Sequence, residues 1–262
     1  MPKAYEVIAD ALRRSIREGE RKPGDRLPSE ADLAQRYGRS VPTVQNALRL
    51  LSDEGLIDRR HGRGTFVRRP RTPAVRENSR HQWEKDRARR PHATRAGTGA
   101  TERDTGLRID DLVFHAQYRE TEASGELARA FGVPEGTVLL QRAYRTRHSA
   151  ESAPFSLVTS HLVRDMVAAN PDLLDETNEP WPGGTQNQLH TVGIELDRVE
   201  ERLTARPPTP EEATALDLPP GTSVILLRKT SYDTDDRVVD ISDVTLPGDR
   251  TELLFTTHLE RW

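Results

Sequence analysis

The chain has 262 residues, with 39 Lys and Arg against 42 Asp and Glu, for a formal charge of −3. Such a length gives two domains with cores of their own, and the near-neutral balance excludes a chain that binds nucleic acid as a polycation along its whole length. Hydrophobic residues make up 34% of the chain, too many for a disordered polymer, and 0 cysteines exclude disulfides, thiolate metal sites and a cysteine nucleophile. No apolar run approaches the roughly 18 residues that span a bilayer. Met1 to Tyr5 lacks a signal-peptide core, so a cytoplasmic protein with no membrane partner is expected. Tyr5, Ile8, Ala9, Leu12 and Ile16 recur at helical spacing and predict a helix over 4–18. Ser29 is placed to cap a second helix, with Asp32 at its third position and Gly38 closing it. Ser40 caps a third, in which Val44, Ala47, Leu48 and Leu51 form one apolar stripe, and Gly55 stops it. Leu56 to Arg60 and Thr65 to Arg69 read as two short strands joined by the basic turn His61-Gly62-Arg63-Gly64.

Two short helices followed by a basic, glycine-tipped hairpin make a winged helix-turn-helix. A helix fits the major groove and presents side chains to base edges. A glycine-rich tip fits the narrower minor groove, where only glycine lets backbone come close. The candidate DNA-facing residues are Ser40, Pro42, Thr43, Gln45, Asn46 and Arg49 on the helix. On the hairpin they are Arg60, His61, Gly62, Arg63, Gly64 and Thr65. The alternative reading is a small helical subdomain with a solvated polar face.

From Arg59 to Arg95, across the end of this domain (1–69), Lys and Arg far outnumber the carboxylates Glu77, Glu84 and Asp86, and Trp83 is an isolated large apolar residue. Residues 70–104 therefore read as a basic linker, with order expected at most around Trp83. The last part, 105–262, carries an internal repeat. Ala128 to Thr137 matches Ala213 to Thr222 position by position, each copy giving a short helix, a Pro-x-Gly turn and a strand. Strands are expected over 138–147, 154–162, 224–232 and 238–246, forming an antiparallel sheet with helices on one side. Two such halves side by side would form a pocket where they meet.

Pro23-Gly24-Asp25-Arg26-Leu27-Pro28-Ser29-Glu30, Glu54-Gly55-Leu56 and Gly62-Arg63-Gly64-Thr65-Phe66-Val67 resemble the DNA-binding domain of GntR-family bacterial transcription regulators. The family commonly reads Ser-Arg-x-Thr-Val-Arg along its recognition helix; here Ser40-Val41-Pro42-Thr43-Val44-Gln45 replaces both arginines, and Gln45 is suited to adenine. Residues 105–262 resemble the UTRA ligand-sensing domain of the HutC subfamily, whose fold is similar to chorismate lyase. The resemblance rests on the doubled Pro-x-Gly-Thr, on Thr159-Ser160-His161-Leu162 and on Trp181-Pro182-Gly183-Gly184-Thr185. It implies an α+β chain and a homodimer on a near-palindromic operator in double-stranded DNA. It further implies a repressor released by a small-molecule effector held by Arg142, Arg145, Ser160, Thr185, Gln186 and Asp240, with Arg147 a weaker candidate. Val158 stands where relatives that bind sugar phosphates carry a glutamate, which leaves room for a less polar ligand. A constitutive repressor whose C-terminal half only dimerises is the alternative. His148, His161, His190 and His258 are scattered and no G-x-S-x-G occurs, so no catalysis, metal or cofactor is expected.

Overall fold

Helices α1 (Ala4–Arg17), α2 (Glu30–Tyr37) and α3 (Val41–Asp53) form where the apolar spacing places them in the computed structural model, which describes residues 2–60 and 62–260. Ser29 accepts from the Asp32 amide at 3.1 Å and Asp32 returns the bond, while Gly38 ends α2 at φ +61°. One face of each helix is buried: Ile8, Ala9 and Leu12 of α1, Leu33 of α2, and Val44, Ala47, Leu48 and Leu51 of α3. Strands β1 (Ile57–Arg60) and β2 (Gly64–Val67) form the expected hairpin and close this core with Ile57 and Val67. Arg13 holds α1 to the end of α3 through a bidentate pair with Glu54.

The chain divides into two compact units, one of residues 1–71 with 207–223, the other of 72–206 with 224–262. The segment read as a basic linker is folded. Strand β3 (Ala74–Glu77) is followed by helices α4 (Arg80–Ala88), α5 (His92–Ala96) and α6 (Ala100–Thr105). Its apolar content is low because charges hold it instead. Arg80 pairs with Asp104 of α6, and Trp83 lies under Arg87 and Arg103 at 4.4 and 5.0 Å.

The second unit continues with β4 (Leu112–Glu122), α7 (Gly125–Phe131), β5 (Val138–His148), β6 (Leu157–Val163), α8 (Arg164–Val167), α9 (Gly184–Thr191) and β7 (Leu196–Arg206). Helix α10 (Pro210–Ala215) belongs to the first unit, and β8 (Val224–Asp233), β9 (Val238–Pro247) and β10 (Thr251–Leu254) to the second. Six antiparallel strands run in the order β4-β5-β6-β9-β8-β7, and β10 pairs in parallel with β3. The repeat is thus β4-α7-β5-β6 followed by β7-α10-β8-β9, meeting at β6 and β9. Helices cover both faces of the sheet, not one. Leu139, Val163 and Ile241 pack with Ala128 and Phe131 of α7. Their neighbours Leu140, Leu162 and Val239 face the other way, onto Val167, Leu173 and Leu189.

The two copies of the repeat share one backbone. Val133 N donates to Ala128 O at 3.0 Å and Leu218 N to Ala213 O at 2.9 Å; Gly136 and Gly221 have φ +82° and +79°. They differ in surroundings. A Cβ on Gly136 would meet nothing within 4 Å, whereas one on Gly221 would lie 2.3 Å from the carbonyl oxygen of Asp53, the last residue of α3. Gly136→Ala therefore carries only the strain of a positive φ, about 1 kcal/mol or somewhat more. Gly221→Ala should lower the urea-unfolding midpoint further, because the Asp53 carbonyl must also move. Equal shifts for the two variants would contradict this packing.

Candidate functional site

On α3 the expected residues lie outside the core. Pro42, Gln45, Asn46 and Arg49 are exposed and Thr43 is half-buried. Ser40 occupies the N-cap position, but its hydroxyl bonds Thr43 Oγ1 at 2.9 Å and caps no backbone amide. Gln45 is not free: its Nε2 donates to Glu30 at 2.7 Å, and Arg59 donates to the other Glu30 oxygen at 2.5 Å. Glu30 went unnoticed in the sequence because it sits among capping residues at the start of α2. It is a carboxylate beside the exposed face of α3, and it occupies a donor of Gln45 and one of Arg59. On the hairpin, Arg60, Gly62 and Arg63 are exposed and Gly64 and Thr65 half-buried; His61 lies outside the described residues. Arg60 stacks on Phe66 at 5.0 Å. Gly62 and Gly64 take φ +68° and +112°, which permit the tight tip.

The second unit encloses a cavity of about 530 Å³, within the range of small-molecule sites. Its floor is one face of the sheet. Strand pairing aligns Tyr118, Arg142, Ser160, Ser242, Lys229 and Glu201 in a polar row across six strands, beside an apolar row with Val158 and Val244. Its walls come from α4, α6 and the start of α9. Of the expected effector residues, Ser160, Thr185 and Gln186 lie on the wall. Arg142 and Asp240 are fully buried against Ser160. Arg145 is excluded: strand alternation puts it on the opposite face, exposed. Arg147, of the same parity, donates to the Glu151 carbonyl at 3.0 Å.

Sequence reasoning missed Glu179, Gln188 and Lys229. The Glu179 carboxylate accepts from Tyr118 at 2.5 Å, Tyr144 at 3.0 Å, Gln188 at 2.9 Å and the Trp181 amide at 2.6 Å. Gln188 also accepts from Arg142 at 2.7 Å. Asp240 takes Ser160 at 2.6 Å and Lys229 at 3.2 Å. One chain of contacts thus runs from Lys229 through Asp240, Ser160, Arg142 and Gln188 to Glu179. Nothing in the local sequence marks Glu179 or Gln188, because their partners lie on other elements.

Burial pushes the Tyr118 phenol up to about 12, so it stays a donor to Glu179. For Asp240, burial alone would raise the pKa; Lys229, Arg142 and the Ser160 hydroxyl outweigh it and hold the carboxyl below its ordinary 3.8. A depressed folded pKa stabilises the fold above the ordinary value and loses that contribution as pH falls through the folded one. Asp240→Asn leaves Arg142 and Lys229 without their shared carboxylate and should cost about 3–5 kcal/mol at pH 7. The deficit against the parent chain should narrow as pH drops below 3.8. Urea unfolding followed by fluorescence across this pH range measures both; a constant deficit would contradict the pairing.

Two family models match the chain: residues 4–67 fit the bacterial regulatory proteins of the gntR family, and residues 115–252 fit the UTRA domain. An uncharacterized HTH-type transcriptional regulator of Streptomyces coelicolor is 30% identical, covering 92% of this chain and 88% of its own. The histidine utilization repressor of Klebsiella aerogenes is 27% identical over 95% of this chain and 92% of its own. The repressor NagR of Bacillus subtilis is also 27% identical, over 98% and 95%. A crystal structure assigned to the GntR family superposes with a TM-score of 0.64 at 26% identity, covering 98% of each chain. The winged helix-turn-helix, the α+β sheet domain and these likenesses agree: the chain belongs to the GntR family of bacterial DNA-binding transcriptional regulators, in its HutC subfamily with a UTRA effector domain.

Proposed function

We propose that the chain acts as a cytoplasmic homodimer whose two heads occupy the half-sites of a near-palindromic operator, repressing transcription until a small effector fills the cavity of the second unit. The observation that carries this reading is the exposed row Gln45, Asn46 and Arg49 on α3, opposite the buried stripe of the same helix. Gln45 and Asn46 suit adenine edges, and Arg49 suits phosphate or guanine. Arg60 and Arg63 on the hairpin meet phosphates or the minor groove, with the glycines allowing approach. The effector performs no chemistry here and takes no cofactor; it acts only by binding the released form better than the DNA-competent one.

A route for that coupling is supported by the chain path. The chain leaves the sheet after Arg206, places Gly221 against the backbone of Asp53 at the end of α3, and returns to the sheet at Val224. The strands on either side carry Val199, Lys229 and Ser231, which line the cavity. A constitutive repressor with a merely dimerising second unit would leave that cavity without a role.

Fluorescence anisotropy with labelled duplexes tests the division of labour on the DNA side. Arg63→Ala should weaken binding to all sequences and lower the salt slope by about 1. Gln45→Ala should lose about 1–3 kcal/mol of discrimination at one base pair per half-site and leave scrambled duplexes unchanged. Equal losses for both variants on scrambled DNA would contradict the assignment.

A further inference from the structure

The chemistry of the cavity narrows what can fill it, taking the cavity as the effector site as proposed above. Five aromatic side chains stand around it: Trp83, Phe114, Tyr144, Phe155 and Trp181. Val158, Val199, Val244, Leu112, Leu196 and Leu246 supply much of the remaining surface. The basic groups on the wall already have partners. Arg80 pairs with Asp104, Arg76 lies 3.6 Å from Glu201, and Lys229 lies 3.2 Å from Asp240. Arg95 donates to the carbonyls of Arg90 and Pro182 and to Asn187, and Arg87 to those of Thr94 and Arg95. The buried Arg142 is held by Ser160, Gln188 and Asp240, and Glu179 is saturated by four donors.

A phosphate or other anion gains its binding energy from donors that have no better acceptor. Here it would have to break ion pairs that are themselves sheltered from water, leaving carboxylates such as Asp104 or Asp240 uncompensated. Burial already pulls Arg76 down to about 10 and pushes Asp104 up, so this wall tolerates further charge poorly. An ammonium group is no better served: Glu179 spends its oxygens on the two tyrosines, Gln188 and the Trp181 amide, and the other carboxylates on the wall stand beside cations, Asp104 with Arg80, Glu84 3.9 Å from Arg80 and His81, and Glu102 near Arg87. The wall also carries neutral polar groups. Thr146, Ser156 and Thr185 on the wall have hydroxyls with no hydrogen-bond partner among the described residues.

We propose that the molecule read by this cavity is uncharged and largely apolar, carrying a flat ring to lie among the aromatics and a neutral oxygen to meet the threonine and serine hydroxyls. Aromatic stacking and apolar burial supply the affinity, and the hydroxyls fix orientation. Val158 belongs to this design: a carboxylate there would sit beside Tyr144 and Val244 on the floor and would favour a polyhydroxylated ligand instead.

The test uses the full chain and two probes, Nile red as a neutral aromatic molecule and glucosamine 6-phosphate as the anionic polyol. Nile red should bind saturably, with emission shifted to the blue and excited through Trp83 and Trp181. Val158→Trp and Thr185→Trp, which fill the cavity from the floor and from α9, should each weaken that binding at least tenfold while retaining a cooperative unfolding transition. Either variant suffices if the other fails to fold. Glucosamine 6-phosphate should neither displace Nile red nor raise the melting temperature. Displacement, stabilisation by the sugar phosphate, or undiminished Nile red binding in the folded variants would overturn the proposal. Operator release is read separately. Nile red that fills the cavity without releasing DNA would count against the regulatory reading alone; release by glucosamine 6-phosphate would count against the ligand class alone.

Discussion

The ion pair of Arg142 with Asp240, shared with Lys229 and bridged by Ser160, is the interaction on which the second unit depends. Arg142 and Asp240 are both fully buried, so neither charge could remain there without the other. The four residues lie on β5, β6, β9 and β8, so the pair ties together the strands on either side of the junction between the halves. Through Gln188 it reaches α9, and through Glu179 it reaches two tyrosines that line and support the floor. The same side chains that resemble an anion-binding set are consumed in holding the sheet. This shifts recognition from the floor's charges to its aromatic and aliphatic surround.

The internal repeat explains the shape of this unit and its departure from symmetry. Both copies use a helix, a left-handed residue, a Pro-x-Gly turn and a hairpin. Gly132 and Asp217 occupy the same left-handed position at φ +68° and +47°. The first copy keeps its helix on the sheet, where Ala128 and Phe131 cover Leu139 and Val163. The second gives its helix to the other unit, where Arg71 donates to the Leu216 carbonyl at 2.7 Å and Gly221 meets the Asp53 backbone. One element has therefore been reused, first as cover for a sheet and then as a contact for the end of the recognition helix.

How much of this was legible in the sequence follows from how local each signal is. The head could be read closely because caps, helical periodicity and glycines act within a few residues; Ser29, Asp32 and Gly38 behave as their types dictate. The strands of the repeat were legible for the same reason, although β4 and β7 were missed, since they precede the repeated motif. Residues 70–104 were misread as a linker because their order comes from Arg80 with Asp104 and from Trp83 between two arginines, contacts invisible to hydrophobic patterning. Arg145 was misplaced by one residue of strand register, which is enough to move a side chain to the opposite face. Glu30, Glu179 and Gln188 gain their roles largely from partners on other elements.

Sequence-specific reading of DNA by paired heads is the central element of the proposed function. Selection of bound duplexes from random DNA by the full chain, at about physiological salt where non-specific attraction is damped, tests it most directly. A homodimer of this kind should yield a near-palindromic consensus whose half-sites lie about one helical turn apart, or a multiple of it. Recovery of duplexes with no shared sequence, despite measurable binding, would contradict it.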